Sequence, residues 1–228
     1  LQGPITLGEH NTLYPGATLG YAPQDWKYPP DKPGAGLVIG DGNVFREGTS
    51  VHRATGDHPT RLGSRNHLMA HANLAPEPSV GDDTMFANGA LVGGHCVVGD
   101  RVIFGGNAAV HQFVRVGRLA IMSGLAGTGH DVPPFCMLIN SRRVATLNVV
   151  GIRRAGLTEH LPALRRAFDI LFRQNRSNPG AVDAIRETCG DDPLCLELAA
   201  FVESTERGIS GYDWAYARGE SRRPPSRD

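Results

Sequence analysis

A carboxylate and an imidazole stand 18 residues apart in this chain, at Glu77 and His95. A carboxylate that binds one imidazole nitrogen orients the ring, so that the other nitrogen can act as a general base. His71 is a second candidate base, because it lies two residues from Asn73 and therefore on the same strand face. Either histidine can do this chemistry only if the fold brings residues that are distant in sequence into one cleft.

An apolar residue recurs at every sixth position from residue 62 to residue 122. The eleven positions are Leu62, Leu68, Leu74, Val80, Phe86, Val92, Val98, Phe104, Val110, Val116 and Met122. Nine of the eleven residues that directly follow them are Gly, Ala or Ser. This hexapeptide repeat predicts a parallel β-helix, in which each hexad forms one short strand and one corner and three hexads complete a coil. Residues 18 apart then stack on neighbouring coils, so that Glu77 and His95 lie about 4.8 Å apart.

The six-residue period divides the chain into three parts. Residues 1–150 are predicted to form the β-helix, with a proline-rich loop at 21–36, and the period fails after Gly124. Residues 151–208 show helical periodicity, with Thr158 as the first predicted N-cap. The arginine- and proline-rich tail, 209–228, is predicted to be disordered. The fold class is therefore an all-β parallel β-helix followed by a C-terminal α-helical domain.

The first hexads are already in register at residue 5. An uncovered first coil would expose the apolar end of the prism, which repeat proteins normally cap. We therefore expect either that N-terminal coils precede Leu1 or that another element covers this end.

Composition narrows the functional classes. The chain has 228 residues with 23 basic and 23 acidic side chains, and this zero net charge argues against a dedicated nucleic-acid binder. No apolar run approaches the ~20 residues that span a bilayer, and no signal peptide is visible. Of the four cysteines, Cys96, Cys136, Cys189 and Cys195, the last two either form a local disulfide or remain free thiols, as is usual in a cytosolic protein.

Six further segments carry distinctive residues, at 24–28, 51–53, 105–113, 131–134, 148–154 and 205–208. Together they resemble the UDP-N-acetylglucosamine acyltransferases of lipid A synthesis, the LpxA family. The resemblance implies a left-handed β-helix and a cytoplasmic homotrimer with no membrane span. It also implies transfer of a 3-hydroxyacyl chain from acyl carrier protein to the 3-hydroxyl of the nucleotide sugar UDP-N-acetylglucosamine, without a cofactor or a metal.

The resemblance also assigns roles to individual residues. Gly94 matches the glycine whose amide faces the thioester oxyanion, and His95 follows it as in the family. Gly124 matches the glycine that lets a long acyl chain extend along the cleft. The other substrate-binding matches are Asp25, Lys27, His52, Asn73, His111, Gln112, Asn148 and Arg154.

The chain departs from the family where the reaction needs a base. The family's catalytic histidine falls on Pro76, which has no titratable group, and the aspartate that orients it falls on Glu77. On the nucleotide side, Val150 replaces an acid and Ala155 replaces a second arginine. Two hypotheses remain: an acyltransferase with another base, either the Glu77–His95 pair or His71, and a non-catalytic β-helix that binds ligands or assembles with partners.

Overall fold

A parallel β-helix makes up most of the computed structural model, which describes residues 1–29, 31–140 and 142–218. The strands are β1 Ile5–Leu7, β2 Thr12–Leu13, β3 Thr18–Tyr21, β4 Leu37–Ile39, β5 Val44–Phe45, β6 Ser50–His52, β7 Thr60–Leu62, β8 His67–Leu68, β9 Asn73–Leu74, β10 Ser79–Val80, β11 Met85–Phe86, β12 Leu91–Val92, β13 Val97–Val98, β14 Ile103–Phe104, β15 Ala109–Val110, β16 Arg115–Val116, β17 Ile121–Met122, β18 Gly127–Thr128, β19 Cys136–Leu138 and β20 Val144–Leu147.

Three sheets form the faces of a triangular prism, and every third strand belongs to the same face. The first sheet has the order β1-β4-β7-β10-β13-β16 and the second β2-β5-β8-β11-β14-β17-β19-β20. The third has the order β3-β6-β9-β12-β15-β18. All pairs are parallel except β19 with β20. The architecture is the one that the hexapeptide repeat predicts.

The interior of the prism is filled by two positions of each hexad. All eleven residues of the six-residue apolar series are buried, with exposures of 4% or less. In the ladder Val92 stands opposite Leu74 on one coil and Val110 on the next, which confirms the 18-residue register. The sequence analysis missed a second buried position, two residues before each apolar one, which is occupied by small or medium side chains such as Ala90 and Cys96.

The small residues of the repeat are required by the neighbouring coil. A Cβ atom added at Gly117 would lie 2.4 Å from the backbone nitrogen of Pro134, and one at Gly105 would lie 2.5 Å from that of Gly124. The sharp turn lies two residues after the small residue of each hexad. Arg65 and Arg101, for example, have positive φ angles of 57° and 56°. The small residues therefore mainly allow two backbones to approach each other.

The regular coil register continues beyond Gly124, where the sequence analysis placed the end of the six-residue period. Gly127–Thr128 pairs with β15 in the same 18-residue register. The next strand, β19, pairs with β17 after a shortened coil, so that Met122 stands opposite Leu138. The sequence analysis missed this continuation because Thr128 is polar, which breaks the apolar series. The following coil also has 16 residues instead of 18, since Met122 pairs with Leu138.

Helices close the C-terminal end of the prism. They are α1 Val149–Arg154, a 3-10 turn Thr158–His160, α2 Leu161–Arg173, α3 Asn178–Cys189, α4 Pro193–Glu203 and α5 Trp214–Ala217. The N-cap predicted at Thr158 is wrong, because this residue begins the 3-10 turn and the N-cap of α2 is His160. None of these helices has the length and hydrophobicity needed to cross a membrane.

An ion pair with a buried carboxylate joins the helices to the end of the prism. The guanidinium of Arg115 donates to Asp131 Oδ2 at 2.9 Å, to Ser204 Oγ at 2.9 Å and to the Phe201 carbonyl at 2.8 Å. Thr205 Oγ1 also donates to Asp131 Oδ2, at 2.8 Å. Because both charges are paired and hydrogen-bonded, the buried carboxylate is tolerated and fixes the position of α4 on the prism.

The chain stays ordered after residue 208, where the sequence analysis predicted a disordered tail. Ile209 bridges Asp131 and Tyr212 bridges Val144, both in parallel. The ring of Tyr212 packs edge-on against Phe168 and Trp214. The prediction was wrong for 209–218 because these contacts bind the segment to the prism, whereas 219–228 lies outside the described residues.

All four cysteines are free thiols in buried positions. The structure therefore contains no disulfide between Cys189 and Cys195. Burial raises the pKa of Cys195 to about 12, so that its thiol stays protonated at neutral pH.

The assigned register predicts opposite outcomes for two valines of adjacent hexads. Val92→Asp places an unpaired carboxylate inside the prism and should cost at least ~3 kcal/mol of unfolding free energy. Val97→Asp, at a position that is 49% exposed, should change it by less than ~0.5 kcal/mol. Urea unfolding of both variants measures the difference, and equal losses would contradict the register.

Candidate functional site

One corner of the prism, between the third and the first sheet, carries the candidate acid–base pair. Glu77 lies on this corner between β9 and β10, and His95 lies on it one coil further, between β12 and β13. Both have positive φ angles, 65° and 57°, so they occupy equivalent turn positions. His95 Nδ1 lies 3.0 Å from Glu77 Oε2. The proximity predicted from the 18-residue step is confirmed, and we call this feature the Glu77–His95 corner.

The other oxygen of Glu77 is held by the preceding coil. The backbone N–H groups of Thr55 and Gly56 donate to Oε1 at 2.8 and 2.7 Å, and the Thr55 hydroxyl also donates to it. The side chain of Glu77 is only 12% exposed. Burial raises the pKa of this carboxyl, but the hydrogen bonds from Thr55 and Gly56 and the adjacent His95 outweigh burial and lower it. Glu77 is therefore an ionised carboxylate with a fixed orientation.

The imidazole of His95 is fixed on one side and open on the other. Its ring stacks on Phe113, with centroids 4.7 Å apart and an interplanar angle of 5°. The side chain remains 41% exposed. Because the carboxylate lies beside Nδ1, charge attraction favours the Nδ1–H tautomer, in which Nε2 presents a lone pair. None of the hydrogen bonds among the described residues uses Nε2, so this nitrogen can accept a proton from a bound molecule.

Gly94 and Pro76, which directly precede His95 and Glu77, also belong to this corner. The His95 N–H donates to the carbonyl of Pro76 at 3.2 Å, so Pro76 contributes only a backbone acceptor. The N–H of Gly94 takes part in no hydrogen bond within the described part of the chain. It can therefore donate to a developing oxyanion, as its predicted role requires.

A cleft of about 850 Å³ runs along the third sheet. Among the predicted site residues it is lined by Asn73 and His111, together with His71, the second candidate base. Asn73 donates to Ser50 Oγ at 2.6 Å and lies 3.4 Å from His52 Nε2. Small and apolar residues such as Gly93 and Leu91 make up the rest of the lining, so the cleft combines a few polar groups with an apolar floor.

His52 and Gln112 lie next to this cleft without lining it. His52 is buried, and its Nδ1 lies 2.9 Å from the Ala22 carbonyl. Gln112 is exposed beside His111, whose Nδ1 lies 3.3 Å from the Gln112 carbonyl.

A second cleft, of about 300 Å³, lies on the second sheet and contains Asn148 and Arg154. The Asn148 side chain is already engaged, since it accepts from the Gly151 N–H at 2.8 Å and donates to the Leu119 carbonyl at 2.8 Å. Asn148 therefore caps α1, a helix that the sequence analysis missed. Val150, one of the replaced positions, is 57% exposed in this cleft and gives it an apolar wall.

The remaining predicted residues lie apart from these clefts. Asp25 and Lys27 are in the exposed loop that follows β3, where the Lys27 N–H donates to Asp25 Oδ1 at 2.9 Å. Gly124 is exposed at a corner between the second and the third sheet. His95 itself borders a third cleft of about 470 Å³ with Phe113 and Arg207. In one chain the predicted residues thus form several groups on different faces of the prism.

Sequence analysis missed three residues that shape the Glu77–His95 corner. Phe113 follows His95 by 18 residues, so the stacking rule would have found it. Thr55 and Gly56 precede Glu77 by 22 and 21 residues, and the loop at 53–60 hides their register. Among the described residues, no group of three or more His, Cys, Asp or Glu side chains is arranged to hold a metal ion.

Comparisons with known proteins all point to one family. Residues 131–210 match the family described as UDP-N-acetylglucosamine O-acyltransferase, domain 2. An acyl-(acyl-carrier-protein)–UDP-N-acetylglucosamine O-acyltransferase from Anaeromyxobacter sp. (strain Fw109-5) is 40% identical over 92% of this chain and 82% of its own. The enzyme of the same name from Gloeothece citriformis is 35% identical over 90% and 74%.

A solved structure shows the same likeness in three dimensions. The UDP-N-acetylglucosamine O-acyltransferase (LpxA) from Moraxella catarrhalis RH4 superposes with a TM-score of 0.85 at 32% identity, covering 90% of this chain and 81% of that one. The predicted left-handed parallel β-helix with a C-terminal helical region is thereby confirmed.

The lowered pKa of Glu77 predicts a pH-dependent stability. Because the folded pKa lies below the ordinary value of 4.5, the ionised carboxylate stabilises the folded state above that pH. The contribution is lost as the pH falls through the folded pKa. Glu77→Gln should therefore lower the melting temperature at neutral pH, and the difference from wild type should shrink progressively in acid. Glu187→Gln, on the exposed face of α3, is the control, and a pH-independent loss for Glu77→Gln would contradict the assignment.

Proposed function

The chain belongs to the family of UDP-N-acetylglucosamine O-acyltransferases, and from that premise we propose that it transfers an acyl chain from acyl carrier protein to a nucleotide sugar, with His95 as the general base. The observation that carries the proposal is the 3.0 Å contact between His95 Nδ1 and Glu77 Oε2. This pair replaces the base that the family pattern places at position 76, where this chain has proline.

The proposed reaction is an acyl transfer from sulfur to oxygen. His95 Nε2 removes the proton of a sugar hydroxyl while the hydroxyl oxygen attacks the thioester carbonyl. The Gly94 N–H donates to the oxyanion that forms, and collapse of the tetrahedral intermediate expels the thiol of the carrier, which takes the proton from the imidazolium. Glu77 stabilises that imidazolium because it remains ionised.

The nucleotide sugar is proposed to be UDP-N-acetylglucosamine, the acceptor in the names of the relatives. The polar side chains of Asn73 and His111 in the first cleft support this choice. Proposed with it are the other predicted contacts, at Asp25, Lys27, His52, Gln112, Gly124, Asn148 and Arg154. The proposal also includes the cytoplasmic location that the family resemblance implies.

A homotrimer is part of the proposal. Asn73 and His111 lie on the third sheet, whereas Arg154 lies over the second. These are different faces of one prism, so a ligand that touches both groups needs two copies of the chain. Light scattering should give a mass of about three times 24.4 kDa, and a monomer at micromolar concentration would contradict the proposed site.

A non-catalytic binding or assembly role is the second candidate. The observations that favour it are the proline at position 76 and the apolar wall that Val150 gives to the second cleft. Under this alternative, wild-type protein would show no transfer, and Pro76→His combined with Glu77→Asp would restore some by returning the family pair. Adding Val150→Glu and Ala155→Arg tests separately whether nucleotide binding was lost.

Acyl-transfer assays with acyl carrier protein thioesters and UDP-N-acetylglucosamine test the proposed function. Wild-type protein should turn over, and His95→Ala should lower kcat by ~10²–10⁴-fold, the usual contribution of a general base. His71→Ala is the matched control, since His71 is also an exposed corner histidine with a positive φ angle of 61°. Turnover that survives His95→Ala, or that depends on His71 instead, would contradict the proposal.

A further inference from the structure

The loop between β6 and β7, together with the first residue of β7, binds Glu77 on the next coil through two sets of contacts. Thr55 and Gly56 bind the carboxylate through Oε1. Five residues further on, Thr60 Oγ1 accepts a hydrogen bond from the Glu77 backbone N–H at 2.8 Å. Thr60 is fully buried, so this second contact is part of the packed prism. The loop therefore restrains the side chain of Glu77, and the start of β7 restrains its backbone.

The contacts divide the two carboxylate oxygens between two partners. Oε1 receives all the donors of the loop, whereas Oε2 faces His95 Nδ1. A glutamate side chain without such restraint has three rotatable bonds and loses entropy when it is held in one orientation. Because the loop has already fixed the orientation, Oε2 remains directed at the imidazole.

The position of Oε2 beside Nδ1 influences which nitrogen of His95 carries the proton. While Oε2 lies 3.0 Å from Nδ1, its negative charge favours the Nδ1–H tautomer of the neutral ring, in which Nε2 is the free acceptor. If the carboxylate turned away, the Nδ1–H tautomer would lose this attraction and the Nε2–H tautomer would become more populated. That tautomer has no lone pair on the exposed nitrogen and cannot act there as a base.

We propose that Thr55 is a positioning residue, which acts through Glu77 to keep His95 in the Nδ1–H tautomer. Thr55 contributes two of the donors on Oε1, its backbone N–H and its hydroxyl. The kinetic consequence of this inference rests on the proposed function, whereas its structural consequence, the tautomer of His95, does not. The two consequences can therefore be tested separately.

The structural test uses ¹⁵N-labelled protein and the side-chain nitrogen shifts of His95 at mildly alkaline pH, assigned by comparison with His95→Ala. Wild type should show the Nδ1–H tautomer, and Thr55→Val should shift the ring toward Nε2–H. Thr55→Ser, which keeps the hydroxyl, should restore the wild-type shifts. Thr84→Val is the matched control, because Thr84 is a buried threonine on another corner whose hydroxyl contacts the Asp82 and Gly99 carbonyls.

The kinetic test measures acyl transfer by the same four proteins. Thr55→Val should lower kcat by on the order of tenfold with little change in KM, because a positioning residue does not touch the acceptor. Thr55→Ser should recover the rate. In a His95→Ala background, Thr55→Val should have no further effect on kcat.

The results separate the two proposals. An inactive wild type with a His95 tautomer that still responds to Thr55→Val would overturn the proposed function and support the inference. An active, His95-dependent enzyme whose tautomer and kcat are unchanged in Thr55→Val would overturn the inference alone. Thermal melts of all variants identify any that fail to fold, and in that event Thr55→Ser against Thr55→Ala gives the same comparison with a smaller change in shape.

Discussion

Hydrogen bonding between successive coils is the interaction on which the rest of the molecule depends. Each short strand pairs with the strand three positions later, so that the residues of one coil lie directly beneath those of the next. The pairing register between coils is fixed, because a slip of one residue would turn the buried aliphatic series outward. Side chains at equivalent corner positions therefore form continuous columns along the prism.

One such column carries the candidate chemistry. Thr55, Glu77, His95 and Phe113 lie on the same corner of four successive coils and contact one another in that order. In this arrangement equivalent corner positions on neighbouring coils can each carry a titratable side chain without a change of fold. Pro76 still takes part, since its carbonyl binds the His95 N–H. Under the proposed function, proline at position 76 leaves the corner intact, and His95, one coil away, supplies the titratable group.

Sequence reasoning succeeded where the 18-residue step is unbroken. It located the interior of the prism and the contact between Glu77 and His95, because both follow from counting. It missed Thr55, since the loop at 53–60 adds residues that counting along the hexads does not anticipate. It also missed that Asn148 caps α1, with its side chain hydrogen-bonded to Gly151 and Leu119. The tail at 209–218 was judged by its composition, and the bridges that order it join residues more than 60 positions apart.

The central claim is that Glu77 and His95 act as one unit in acyl transfer. A double-mutant cycle on the transfer rate, with Glu77→Gln, His95→Ala and both together, tests it most directly. If Glu77 acts through His95, the double variant should be no slower than His95→Ala alone, because the second change removes a partner that no longer has a function. Losses that add on a logarithmic scale, or a His95→Ala enzyme as fast as wild type, would contradict the account.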